Sequence, residues 1–393
     1  MKLEVNSSHN KRELNCMITK IEASGYCCLR EVNQELQPYK ILVGPNGSGK
    51  SAFLDVVAFF GDLVSSTLKQ TVDDRTDKFD DLVWGRKEGA FRLAIEAEPP
   101  FSEKKVRYEV EVRLDAHTDE LALCDERLSV LDGTAEWLPV VTRRDVDLVS
   151  FSAEKGDLRF DLRLNPGLSG LANLPADATA FPAAVWLKSL LQEGVKTVRL
   201  DNDYLRASSP RGLGKARFYD GFNLPRLIEQ ASSSRTSFEA WLKHVQTAIP
   251  DVLDIRVITR PEDRSRYVVV KYVGGVELPA WTVSDGTMRL IALTLLAYLP
   301  EFQGVYLVEE PEIGLHPTAI ETVIQSLSSV YEGQVLITSH SPAVLSLARP
   351  DQLLCFQKVN GATTIISGDK HPILQEWKAG VNVSDLFAAG VLG

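Results

Sequence analysis

The run Gly44-Pro-Asn-Gly-Ser-Gly-Lys50-Ser51 constrains this chain more than any other feature. It fits the pattern G-x-x-x-x-G-K-[ST] in full. Each part has a physical reason. Gly44, Gly47 and Gly49 let backbone N–H groups turn toward an anion where a side chain would clash. Pro45, Asn46 and Ser48 complete the loop and are expected to line the nucleotide phosphates with it. Lys50 reaches β- and γ-phosphates, and Ser51 offers a hydroxyl to Mg²⁺. The context agrees. Lys40-Ile41-Leu42-Val43 reads as a short buried strand, and Ala52 to Leu68 reads as a helix with apolar residues at helical spacing. A helix starting there aims its positive end at the phosphates.

Composition narrows the rest. The 393 residues carry 43 basic and 53 acidic side chains, a net charge of −10, whereas a chain that coats nucleic acid over its whole surface is usually basic, so any such contact needs a local basic patch. Arg206, Arg211, Lys215 and Arg217 form the candidate patch, with few aromatic residues between them to stack bases. The five cysteines form no C-x-x-C pair, which speaks against a zinc ribbon or disulfide framework and for reduced thiols in a cytoplasmic protein. The N-terminal residues lack the apolar stretch of a signal peptide, and no apolar run approaches the length of a membrane span.

Along the chain, Phe91 to about Leu164 is rich in strand-like alternation. Leu164 to Pro182 has the Gly, Pro, Asn and Ala content of a link. Helices return from Pro182, with Phe238–Ile249 ended by Pro250. The last part alternates strand and helix, with strands expected at Val305–Glu309, Gln334–Thr338 and Leu353–Gln357. That alternation implies a mostly parallel sheet faced by helices. The expected division is one head over 1–393. Its parts are a phosphate-loop and β-rich lobe to about 165, a helical insert lobe to about 275, and a third lobe from about 276.

Val305-Tyr-Leu-Val-Glu309-Glu310-Pro-Glu312 is an apolar strand ending in acids. Such a strand delivers a carboxylate to the metal shell of a phosphate-loop enzyme. Glu309 is assigned to the metal with Ser51. Glu310, one residue on, is assigned to orient and deprotonate water.

With these motifs in hand, the chain resembles the ABC-type ATPases of the RecF, SMC and OLD group, and especially stand-alone bacterial ATPases of the AAA family. Two further motifs carry the resemblance. Val283-Ser284-Asp285-Gly286-Thr287-Met288 is similar to the ABC signature motif. Leu336-Ile-Thr-Ser-His340-Ser-Pro342 is similar to the strand and histidine of the switch loop. Gly314-Leu-His-Pro317 falls at the D-loop position. Weaker echoes are Asp220–Leu224 and the closing Phe387–Gly393.

The resemblance implies a phosphate-loop α/β fold with a mixed or parallel sheet, ATP and Mg²⁺ as cofactors, and hydrolysis with Lys50, Glu310 and His340 as catalytic residues. It implies that Ser284, Asp285 and Gly286 hold the γ-phosphate bound to a second copy, giving a homodimer with ATP at the interface. It further implies a separately encoded effector protein, in bacterial defence or DNA maintenance.

The chain departs from the pattern in places. Glu309 stands where many relatives have Asp, and Asp285 where many have Gly. No glutamine is placed for the Q-loop; Gln70 is the nearest candidate. Tyr26 falls where an aromatic can face adenine, although strand packing explains it as well. Coiled-coil arms and a nuclease domain are not expected. The competing reading is a nucleotide-gated binding module with little turnover. A transporter subunit fits poorly with the β-rich insertion.

Overall fold

The computed structural model describes residues 17–374, apart from 87–88, 103, 115–119, 132, 134–135, 211–217, 301 and 373. Arg211, Lys215, Arg217 and the closing Phe387–Gly393 motif therefore lie outside the described residues.

A seven-stranded sheet forms the centre. Its order is Phe218–Tyr219, Val195–Val198, Val305–Glu309, Gln334–Ser339, Tyr39–Val43, Leu353–Val359 and Ala362–Ser367. All neighbours run parallel except the last pair. The central strands are apolar on both faces, and alternation sends their side chains to two different cores. Leu42, Val305, Leu307, Leu336 and Phe356 enter one core. Ile41, Val43, Tyr306, Val308, Val335 and Ile337 enter the other. A one-residue slip of any of these strands would exchange the two sets.

The first core is closed by the helix Lys50–Ser65, which buries Phe53, Val56, Val57, Phe59, Phe60 and Leu63. This helix lies between the central sheet and an eight-stranded antiparallel sheet built from residues 17–35 and 90–163. The β-rich stretch is thus a second sheet, and it includes the strands Trp137–Arg143 and Leu148–Ser152, which the sequence reading had not separated. The second core gathers the helices Leu224–Ser232, Arg235–Ala248, Asp285–Leu295 and Pro317–Ser328 with a three-stranded sheet. Trp241 is fully buried there, and its indole N–H donates to Thr294 Oγ1 at 3.0 Å.

The link after Leu164 is tied to the antiparallel sheet by a buried carboxylate. Glu126 is fully buried and accepts from Tyr108 Oη at 2.8 Å, Ser169 Oγ at 2.8 Å, Gly170 N at 2.8 Å and Leu171 N at 3.2 Å, and pairs with Arg143 Nη2 at 3.0 Å. A buried carboxylate is tolerable only when paired and hydrogen-bonded in this way.

The strand Val195–Val198 lies where the sequence had suggested only helices. It has four residues, too few for periodicity to register, and its identity comes from pairing beside Val305–Val308.

Candidate active site at the strand ends

Three neighbouring parallel strands end on the same edge of the central sheet. Val43 pairs with Ser339, and Thr338 with Glu309, so the phosphate loop, Glu310 and His340 all emerge there. Open α/β sheets bind ligands at the carboxyl ends of their strands.

The phosphate loop follows Val43. Gly44, Gly47 and Gly49 have φ of 152°, 76° and 105°. Two of them are also required by space. A Cβ on Gly44 would lie 2.3 Å from Phe356 O, and one on Gly49 would lie 2.3 Å from Thr363 Oγ1. The Thr363 hydroxyl donates to Ser48 O at 2.9 Å, so the hairpin Leu353–Ser367 braces the loop from behind. Pro45, Asn46, Gly47 and Ser51 are exposed, while Ser48 and Lys50 are buried.

Lys50 Nζ donates to Gly44 O at 2.7 Å and Pro45 O at 2.9 Å. Burial pulls the ammonium below the ordinary lysine range, while Glu310 and Glu312 oppose that pull. The acids that follow Val305–Glu309, one strand removed from the phosphate-loop strand, thus favour the charged form of the loop lysine.

Glu309 closes its strand, and its Oε1 pairs with Arg199 Nη2 at 2.5 Å. Glu310 adopts φ of 44°, unusual for a residue with a side chain, and its N–H donates to Thr338 O at 3.0 Å. Backbone strain of this kind costs about 1–3 kcal/mol and concentrates at functional sites. Glu310 Oε1 lies 2.9 Å from His340 Nδ1. A carboxylate only accepts, so His340 is the donor.

Glu312 belongs to the same acidic motif, and no role for it is legible from the sequence. It is buried, and its Oε1 accepts from Ser339 Oγ at 2.6 Å and from His340 N at 3.4 Å. It fixes the backbone that presents His340. Its position two residues beyond Glu310 gave the only hint in the sequence. Arg199 and Thr363 had no local signal, because both reach the site through distant strands.

The signature residues stand at a helix start rather than at a strand end. Ser284 is exposed and caps the helix Asp285–Leu295, accepting from Thr287 N at 3.3 Å. Asp285 pairs with Arg206 Nη2 at 2.7 Å. Gly286 has a packing reason, since a Cβ there would meet Gly314 O at 2.9 Å. In one chain Ser284 makes its side-chain contacts within its own helix cap. Arg206, the one described member of the basic patch, also donates to Val283 O at 2.8 Å, so it is engaged within the fold.

Two earlier candidates resolve differently. Tyr26 is fully buried, donates its hydroxyl to Asp55 and packs edge-on against Phe59 and Phe91, as strand packing requires. Gln70 is exposed on the helix Leu68–Asp73 and donates to Asp74 Oδ1 at 2.6 Å.

The donors at the strand ends suit a hard cation. Ser51 and Glu309 offer oxygen, which Mg²⁺ prefers. Among the described residues no cluster of three or more His, Cys, Asp or Glu is arranged to hold an ion alone. An ion here would take its remaining ligands from phosphate and water, the usual habit of Mg²⁺. No helix among the described residues is long and apolar enough to cross a membrane.

Comparison with known proteins agrees with this architecture. The chain is 24% identical over 157 residues to the "Retron Vc95 probable ATPase" of Vibrio cholerae serotype O1 biovar El Tor, covering 37% of this chain and 29% of that protein. It is 37% identical over 73 residues to the "Old nuclease" of Escherichia phage P2, covering 16% of this chain and 12% of that one. The chain thus spans well under half the length of these relatives. In solved structures it is similar to an SMC head bound to the C-winged helix domain of ScpA, with TM-score 0.56, 17% identity, and coverage of 89% of this chain and 97% of that one. It is also similar to an SMC head with an extended coiled coil bound to the C-terminal domain of ScpA from Pyrococcus furiosus, with TM-score 0.53, 15% identity, and coverage of 93% and 98%. These likenesses establish the fold of an ABC-type ATPase head. Residues 41–346, which hold the phosphate loop, the acidic strand and His340, match the family described as "AAA domain, putative AbiEii toxin, Type IV TA system", and the chain belongs to that family of AAA/ABC-type ATPases.

Proposed function

We propose that the chain binds ATP with Mg²⁺ at the strand ends and hydrolyses it, and that two copies close around the nucleotide. The observation that supports this best is the emergence of Lys50, Glu310 and His340 from three neighbouring parallel strands. In this reading the loop amides and Lys50 hold the phosphates, and Ser51 with Glu309 holds the ion. Bound Mg²⁺ would draw charge from the β- and γ-phosphate oxygens. Glu310 takes a proton from water, and His340 fixes the carboxylate's direction through its 2.9 Å hydrogen bond. Glu312 is a positioning residue behind His340.

Ser284 and Gly286 would meet the γ-phosphate of a second copy. The support is their place at an exposed helix N-terminus, where hydroxyl and N–H groups suit an anion. The division into a phosphate-loop lobe, an insert lobe and a signature lobe describes how the two surfaces of each copy would be presented. The output is proposed to be a separately encoded effector in bacterial defence or DNA maintenance; the likeness to the retron ATPase supports the first.

ATP binding and sizing test the proposal together. Native protein is expected to bind ATP and shift to a dimer, Lys50→Ala to lose binding, and Ser284→Arg to bind ATP yet stay monomeric. A Lys50→Ala protein that binds ATP as the native protein does contradicts the reading. A nucleotide-gated module with little turnover is the second reading. It is favoured by Asp285, whose ion pair with Arg206 places a fixed carboxylate beside Ser284.

A further inference from the structure

Arg199 stands at the end of the strand Val195–Val198, whose Val198 pairs with Val308. That parallel register carries Arg199 alongside Glu309, and the two side chains pair at 2.5 Å. The arginine is 72% exposed and the glutamate 22% exposed. An ion pair so open to water is weak and readily exchanged.

The backbone around Arg199 is held, however. Arg289 of the signature helix donates to Leu200 O at 3.2 Å and Asn202 Oδ1 at 3.4 Å. Arg206 fastens the other end of the segment to Val283 O and Asp285. A long cationic side chain therefore stands on a fixed base beside Glu309.

We propose that Arg199 is the resident counter-cation of Glu309, that it yields this carboxylate when a divalent ion arrives with nucleotide, and that its freed guanidinium then holds the γ-phosphate. The inference rests on the Mg-ATP reading above. A guanidinium matches phosphate oxygens as well as carboxylate oxygens. Lys50 approaches the phosphates from the loop side, whereas the largely exposed Arg199 approaches from the other side of the acidic strand. When the γ-phosphate is gone, Arg199 returns to Glu309 and competes with the ion, which favours release of ADP. Arg199 would thus distinguish ATP from ADP.

The test compares Mg²⁺ titrations of nucleotide binding with ADP and with a non-hydrolysable ATP analogue, using native protein, Arg199→Gln and Arg199→Lys. With ADP, Arg199→Gln loses only the competitor, so the half-saturating Mg²⁺ is expected to fall about two- to fivefold. With the ATP analogue that gain is cancelled by the lost phosphate contact, so the preference for ATP narrows. Arg199→Lys keeps the charge and is expected to stay near native with ADP. Equal curves for native and Arg199→Gln with both nucleotides overturn this inference alone, as does uniform weakening with both. Absence of Mg-nucleotide binding by the native protein overturns it together with the proposed function.

Discussion

His340 Nδ1 lies 2.9 Å from Glu310 Oε1, across the ends of two adjacent parallel strands. The pair joins a carboxylate on a strained backbone to an imidazole whose own backbone N–H leans on buried Glu312. The backbones beneath the two side chains are held, and the hydrogen bond between the side chains aligns them at a partly exposed site.

Removing the imidazole should therefore cost catalysis more than binding. His340→Ala is expected to lower kcat about 10²-fold, with ATP affinity changed only a few-fold. Steady-state turnover beside equilibrium ATP binding checks this. A parallel loss of affinity and kcat would mean that His340 mainly holds the ground-state phosphate.

Thr363 braces the phosphate loop through Ser48 O, and its hydroxyl occupies the space a Cβ on Gly49 would need. Thr363→Val keeps the shape and removes the donor. ATP affinity is expected to fall about three- to tenfold, the worth of one hydrogen bond, while the melting temperature moves little. Gly49→Ala should abolish binding, since both space and a φ of 105° oppose a side chain.

Much of this site was legible because its parts are contiguous in the chain. The phosphate loop needs one strand, one turn and one helix in succession, and Ile41–Val43 and Phe53–Val64 supply the apolar patterns on either side. Glu309 and Glu310 are marked by the apolar strand that ends at them. Arg199 and Thr363 are different. Each enters through pairing between segments far apart in sequence, and the four-residue strand before Arg199 has no periodicity of its own. Only the strand order shows that Arg199 stands beside the acidic strand. Glu126 was equally hidden, because its partners Ser169, Gly170 and Leu171 lie in a linking segment more than forty residues away in sequence.

Glu126 tests that tie. Glu126→Ala strands Arg143, which has no exposed side-chain surface, and frees the segment that packs on the antiparallel sheet. Loss of one partner of a buried pair costs about 3–5 kcal/mol, so the denaturant midpoint should fall sharply. An unchanged midpoint would show that Arg143 finds another partner at no cost.

The antiparallel sheet carries a second, more open ion-pair group. The hydrogen bond from Arg107 holds the Glu22 carboxyl down from 4.5 to about 2, with a further contribution from Lys20 and against some opposition from burial. Because the folded value is depressed, the stability it provides is complete above about pH 4.5 and lost as pH falls toward 2. Glu22→Gln should be less stable than native near neutral pH by about 1 kcal/mol, after allowance for solvent screening, and the gap should close with acidification. Denaturant midpoints of both proteins across that pH range check the sign.

The central claim is that Glu310 acts on water beside a triphosphate held by Lys50. ATP turnover of Glu310→Gln, measured beside ATP binding by the same protein, tests it most directly. The account predicts bound ATP and turnover reduced by about 10²-fold or more. Turnover equal to that of the native protein would contradict it.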